Sequence, residues 1–165
     1  MKPSLNFLLI TCLFAPALTF HVQAKESAWT GLQEPHETFE AYVQALKKSD
    51  FDKAVAYIYI PDRAEHEANV KEGLPKIAAT MKSEDWRVKI VKAAKEGEFA
   101  AIIYITRPEK KDYEPVLMMR KDNHWYLHNY RSSGHLRNIL EEADLAQAQE
   151  MVAWGKQKMQ ELKNN

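Results

Sequence analysis

The stretch PVLMMRKDNHWYLHNYR, Pro115 to Arg131, decides how this chain folds. Two runs rich in apolar and aromatic residues flank Asp122-Asn123, residue types that tolerate the left-handed backbone of a tight turn, so the stretch reads as a β-hairpin. With that turn, Lys121 opposes His124, Met119 opposes Tyr126 and Leu117 opposes His128 on one face. Trp125 and Leu127 share the other face with Met118 and Val116. Both faces are largely apolar and both need cover. N-terminal helices can hide one. The other, bearing Leu117, Met119, Tyr126, His128 and Tyr130, requires the C-terminal helix, a second subunit or a bound partner. A packed face is the plain reading, and these five residues are the binding candidates if a partner takes it.

The same stretch holds two histidines, which raises the question of a metal. On a strand His124 and His128 share a face but stand about 13 Å apart at ~3.3 Å per residue, too far for one zinc with ligand bonds of ~2 Å. His135 follows in the next loop, with no carboxylate or further histidine placed by sequence to complete a site. No metal and no cofactor is expected.

Upstream, WRVKIVK (86–92) alternates Trp86, Val88 and Ile90 against Arg87 and Lys89, the pattern of a half-buried strand. Gly97 offers a hairpin turn. FAAIIYITR (99–107) is apolar on both parities, as expected of a strand covered on both faces, and Pro108 ends it.

Before Asp85 the period is helical. In PHETFEAYVQALKKS (35–49), Phe39, Val43 and Leu46 form a stripe opposite Glu37, Glu40, Lys47 and Lys48, with Pro35 at a first helical position. Ser49 and Asp52 make a capping-box arrangement for a second helix with Phe51, Val55 and Ile58 on one stripe, stopped by Pro61. A third helix from Asp62 to Glu72 is expected to end at Gly73, and Pro75 to restart a short fourth through Met81, with Ile77 and Met81 inward. His66 lies on the third helix between Glu65 and Glu67, sequence neighbours that do not face one another, and reads as a solvated surface residue.

At the N-terminus, Lys2 precedes an apolar run from Leu5 to Phe20, and Val22-Gln23-Ala24 suits signal peptidase, so residues 1–24 read as a signal peptide cleaved after Ala24. The run is shorter than the ~20 residues of a spanning helix and is interrupted by Pro16, so a retained anchor is the lesser reading. Cys12, the single cysteine, lies inside it, with Thr11 before it and a long apolar stretch after it, unlike a lipidation site. The exported chain is then thiol-free, which removes disulfides and thiolate chemistry and points to a periplasm or exterior. Residues 25–34 read as a flexible leader, and the rest as one domain long enough to bury ~70% of its unfolded surface. The sequence carries 23 basic and 23 acidic residues with no basic block, which makes nucleic acid a poor partner.

The C-terminal segment, residues 132–165, reads as one long amphipathic helix softened at Gly155, with Leu136, Ile139, Leu140, Leu145, Ala148, Met151, Val152, Met159 and Leu162 apolar. Its mixed charges are unlike the basic face of a membrane-surface helix, so it is expected to dock on the sheet or on a twin.

TFEAYVQALKKSDFDKAVAYI (38–58) resembles the opening helix, charged turn and second helix of the superfamily named after nuclear transport factor 2, the cystatin-like cone fold. EPVLMMRKDNHWYLHNYR (114–131) resembles the strand, turn and tryptophan-bearing strand that close many small exported members. The matching segments and intervening strands cover about Pro35 to Arg131. Where a glycine commonly precedes the lysine and tryptophan of that turn, this chain has Asn123 and His124, which leaves room for a wider hairpin. The resemblance implies an α+β fold, N-terminal helices packed on a curved antiparallel sheet, enclosing a conical cavity. Some relatives use such a cavity as isomerases or dehydratases with a pocket aspartate, histidine or tyrosine; many are not catalytic. No catalytic motif of the family matches here residue by residue.

Three functions follow as expectations. The first is an exported non-catalytic domain that binds a small apolar ligand through a cavity to which Tyr57, Tyr104 and Trp125 are candidate contributors, or a protein partner through the second sheet face. The second is a cofactor-free lyase or isomerase in which a buried tyrosine works with Asp112 or Glu114. The third is an inhibitor or immunity protein, which fits size and export but has no sequence feature of its own.

Overall fold

Residues 34–128, 136 and 140–164 are described by a computed structural model. Residues 1–33 and Tyr130 lie outside them, and with them the signal-peptide reading. The chain runs through α1 (Pro35–Lys47), α2 (Phe51–Ala56) and α3 (Arg63–Ser83), then β1 (Lys89–Glu96), β2 (Phe99–Ile105), a 3₁₀ turn at Pro108–Lys110, β3 (Tyr113–Lys121) and β4 (His124–His128), and finally α4 (Glu142–Asn164). The fold is α+β: three helices on one face of a four-stranded antiparallel sheet in the order β1-β2-β3-β4, and one long helix on the other.

The hairpin at Asp122-Asn123 forms with the register expected from sequence. Asp122 (φ 49°) and Asn123 (φ 63°) both take left-handed conformations, the pattern of a type I′ turn, and pair Lys121 with His124, Met119 with Tyr126 and Leu117 with His128. The turn is the narrow two-residue form, because two residues that accept positive φ suffice to match the twist of the strands. Across β2, which is buried on both faces, the register continues from Ala100–Met118 to Tyr104–Glu114.

Each face then has its own core. Ala100, Ile102, Met118, Trp125 and Leu127 point toward the N-terminal helices and meet Phe39, Val43, Leu46, Val55 and Leu74. Phe99, Ala101, Leu117 and Met119 point the other way and meet Leu136, Ala148, Met151 and Val152. The C-terminal helix therefore covers the second face in cis, over β2 and β3. It begins at Glu142, after a bend at Leu140, later than its apolar periodicity suggests. Gly155 is a point of close approach and not a soft spot: a Cβ there would stand 3.3 Å from Pro115 Cβ, so the missing side chain lets the helix lie on β3.

Several local expectations are corrected. The cap of α2 is Asp50, whose Oδ1 accepts from the Lys53 N–H at 3.1 Å. Ser49 has φ 57° and ends the α1 turn instead, so it lacks the extended backbone an N-cap uses. Ile58 is not on a helix. It forms a parallel bridge to Leu127, with the Tyr59 N–H donating to Leu127 O and the Leu127 N–H donating to Tyr57 O, both at 2.8 Å. This covers the open edge of β4, and Arg63 Nη2 donates to the Ile58 carbonyl at 2.6 Å to hold the segment.

The third and fourth helices are one. Pro75 cannot bond to the Lys71 carbonyl, yet the helix runs on because Leu74 and Met81, on either side, are buried against α1 and α2. Met81 is inward as read, whereas Ile77 is 39% exposed. The first strand starts only at Lys89, and its alternation breaks at Val91, where a bulge separates the Ile90–Tyr104 pair from Lys92–Ile103. The bulge and Lys89, Lys92 and Lys95 sit on the sheet's free edge, features that discourage edge-to-edge pairing.

Candidate functional site

Because α3 packs principally on α1 and α2, a cavity remains between these helices and the sheet, with a volume of about 770 Å³. Helix α1 contributes Phe39, Tyr42, Val43 and Leu46; α3 contributes Val70, Leu74, Ile77 and Met81; the sheet side contributes Trp86, Val88, Tyr104, Val116 and Leu127. Exposed residues of α3, namely Asn69, Gly73 and Ile77, mark its mouth. Gly73 has open space where a side chain would be, with nothing within 4 Å of an added Cβ.

Among the described lining residues there is no aspartate, glutamate, lysine or arginine. The polar side-chain groups are the phenols of Tyr42 and Tyr104, the Trp86 indole N–H, the Asn69 amide at the mouth and His128, which borders the cavity from the opposite sheet face. Burial pushes the Tyr42 phenol up to about 12 from its ordinary 10.0. Tyr104 is pushed up too, first by burial and then by the negative charges of Glu114 and an ionised Tyr42. Its ring packs on Phe39 with centroids 4.7 Å apart.

A raised phenol pKa favours the protonated form in the folded chain. The stability it contributes is intact below pH 10 and is lost as pH rises from there toward about 12, where the unfolded chain ionises first. Urea midpoints across that window are expected to fall in the parent protein and to fall less steeply in Tyr42→Phe. An unchanged slope would show that the Tyr42 hydroxyl is not buried in the cavity wall.

Trp86 stands at the sheet side of the mouth and is fixed by charge. Its indole N–H donates to Glu84 Oε2 at 2.9 Å, the same oxygen accepts from Arg107 Nη1 at 2.8 Å, and Arg107 Nε donates to Asp112 at 2.6 Å. A second, more polar recess of about 870 Å³ lies across Met81 and Trp86, bordered by Lys47, Ser49, Lys82, Asp85 and Arg87. Its walls are as polar as they are apolar, whereas those of the first cavity are mainly apolar, so the first is the better site.

Of the three cavity candidates read from sequence, Tyr104 lines the cavity, while Tyr57 and Trp125 are buried in the surrounding core and do not line it. Trp125 is turned into the packing between helices and sheet, and Tyr57 ends α2. On the second face, Leu117 and Met119 lie under the C-terminal helix, and Tyr126 and His128 gather around Tyr59, whose ring stacks on His128 at 5.6 Å. Neither carboxylate considered for catalysis lines the cavity: Asp112 is taken by Arg107, and Glu114, though opposite Tyr104 in register, is exposed. His66 is exposed on α3, as read.

Sequence reasoning missed Tyr42, Asn69 and Trp86 as cavity residues. Tyr42 carried a signal, since it adjoins the Phe39–Val43–Leu46 stripe and widens it toward the sheet. No group of three or more His, Cys, Asp or Glu among the described residues could hold a metal ion, and no described helix is long and apolar enough to cross a membrane.

No protein-family model matches the chain, and no curated protein matches it significantly. Among solved structures, it is similar to the crystal structure of a protein from Campylobacter jejuni provisionally described as an NTF2-like transpeptidase. The TM-score is 0.47 with 16% sequence identity, over 59% of this chain and 99% of that one.

Proposed function

We propose that this chain is an exported, non-catalytic binding domain whose cavity takes a small apolar ligand. The observation that carries the reading is the makeup of the cavity wall, aromatic and aliphatic side chains with two phenols and no carboxylate among the described residues. A volume of about 770 Å³ lies within the ~300–1,000 Å³ typical of small-molecule sites. The absence of an acid/base pair in the lining favours binding over the lyase or isomerase alternative. Cover of the second sheet face by α4 favours the cavity over that face as the place of recognition. Export is carried by the sequence of residues 1–24.

Gly73 allows a test that leaves the fold alone. Gly73→Ala is expected to stabilise α3 by up to about 1 kcal/mol through helix propensity and to leave the cavity open. Gly73→Trp is expected to keep the fold and narrow the mouth. Purified mature protein should enhance the fluorescence of the neutral probe N-phenyl-1-naphthylamine, and Gly73→Trp should weaken that binding about tenfold while Gly73→Ala does not. No probe binding by the parent, together with no small-molecule adduct in native mass spectra, would count decisively against a ligand cavity.

A further inference from the structure

We infer that the cavity's ligand is a single-chain amphiphile with an anionic head, its hydrocarbon lying in the cavity and its head in the adjoining recess that Lys47 and Lys82 border. The inference rests on the ligand-cavity reading and adds the polar end that the cavity itself does not hold. The two recesses are contiguous, because Leu46, Met81, Trp86 and Val88 line both. Leu46 and Met81 are buried, whereas Trp86 and Val88 are partly exposed, so the surface common to both runs over these two. The Trp86 indole N–H donates to Glu84, which also accepts from Arg107, and this holds the divide in place.

The two chambers differ in charge. The described lining of the cavity offers a charged group no counter-ion, so hydrocarbon is what it accepts. The recess is bordered by Lys47, Lys82 and Arg87 against a single carboxylate, Asp85. Arg87 neutralises that carboxylate, donating from Nε and Nη2 to Asp85 Oδ2 at 3.1 and 3.0 Å. Lys47 and Lys82 make no ion pair with another described residue, which leaves two positive charges in excess. Each lysine lies in the last turn of its helix, α1 or α3, where the helix dipole favours a cation. The dipole accounts for a lysine at each helix end, but not for both ends bordering one recess whose walls include the partly buried rings of Phe51 and Trp86. An uncharged apolar chamber beside a recess of positive charge matches a molecule with hydrocarbon at one end and negative charge at the other. The tail supplies affinity and the exposed lysines select the head.

The test is displacement of N-phenyl-1-naphthylamine from the mature full chain by dodecanoate and by dodecan-1-ol, one chain with a charged and an uncharged head, both below micelle-forming concentrations. At low ionic strength Lys47→Gln/Lys82→Gln is expected to weaken dodecanoate about three- to tenfold, the size of two exposed ion pairs, and to leave the alcohol unchanged. Added salt should weaken dodecanoate in the parent and not in that variant. Lys156→Gln/Lys163→Gln, which removes the same charge from exposed positions of α4 beyond the sheet, should change neither ligand, and Gly73→Trp should weaken both. If both ligands displace the probe but Lys47→Gln/Lys82→Gln changes them equally or not at all, or if Lys156→Gln/Lys163→Gln has the same effect, the head-group assignment is overturned while the cavity reading stands. It is overturned likewise if phosphatidylglycerol vesicles are retained through Lys47 and Lys82 while monomeric dodecanoate displaces nothing, since the lysines then serve a membrane surface. If the parent binds neither the probe nor either ligand, the cavity reading falls and this inference with it.

Discussion

Trp125→Ala is expected to lower the unfolding free energy by about 3–5 kcal/mol, the range for removing a large aromatic side chain from a packed core. Trp125 is 1% exposed and belongs to the cluster that joins β4 and β3 to α1 and α2. Its side chain fills the layer between Met118 and Leu127 on the sheet and the helices above them, and no neighbour can collapse into so large a void without breaking the strand register. The measurement is equilibrium urea unfolding, with the midpoint reduced and the slope conserved. A loss under about 1 kcal/mol would mean that Trp125 does not lie between the two layers, and the assignment of faces would fail.

Ala148→Asp is expected to strip the C-terminal helix from the sheet. Ala148 is 0% exposed and faces the layer formed by Phe99, Ala101, Leu117 and Met119. An aspartate there would bury a carboxylate with no cation in that cluster, at a cost of about 3 kcal/mol or more. The cheaper outcome is undocking, which leaves the second sheet face open to solvent. Amide exchange in β2 and β3 should accelerate, and the protein should self-associate through the exposed face. Ala146→Asp, the same substitution at an exposed position of the same helix, is the control for added charge and lost helix propensity. If Ala148→Asp is as stable and as monomeric as Ala146→Asp, the helix does not cover the sheet in cis.

Much of the sheet was legible because a strand's side chains alternate with period two. Once Asp122-Asn123 is recognised as the turn, every pair from Lys121–His124 to Leu117–His128 follows, and so does the division of Trp125 and Met118 from Tyr126 and Met119. The candidate site was less legible. Sequence offers Trp125 as a cavity candidate only because it is aromatic, and an aromatic residue on the helix-facing side serves equally as core, which is where Trp125 lies. Tyr104 and Trp125 share that face, and only the way α3 leans onto α1 and α2 puts one beside empty space and the other beside packed atoms.

Local residue types and their spacing thus determined the helical half, the antiparallel hairpin, its register and the presence of two apolar sheet faces, because dihedral preference and side-chain alternation act over a few neighbouring residues. Tertiary structure decided the continuity of α3 through Pro75, the pairing of Ile58 with Leu127, the use of α4 as the cover in cis and the position of the cavity. These depend on which distant surfaces meet: burial of Leu74 and Met81 outweighs a hydrogen bond lost at Pro75, and the space left where α3 stands off the sheet belongs to no single segment of the chain.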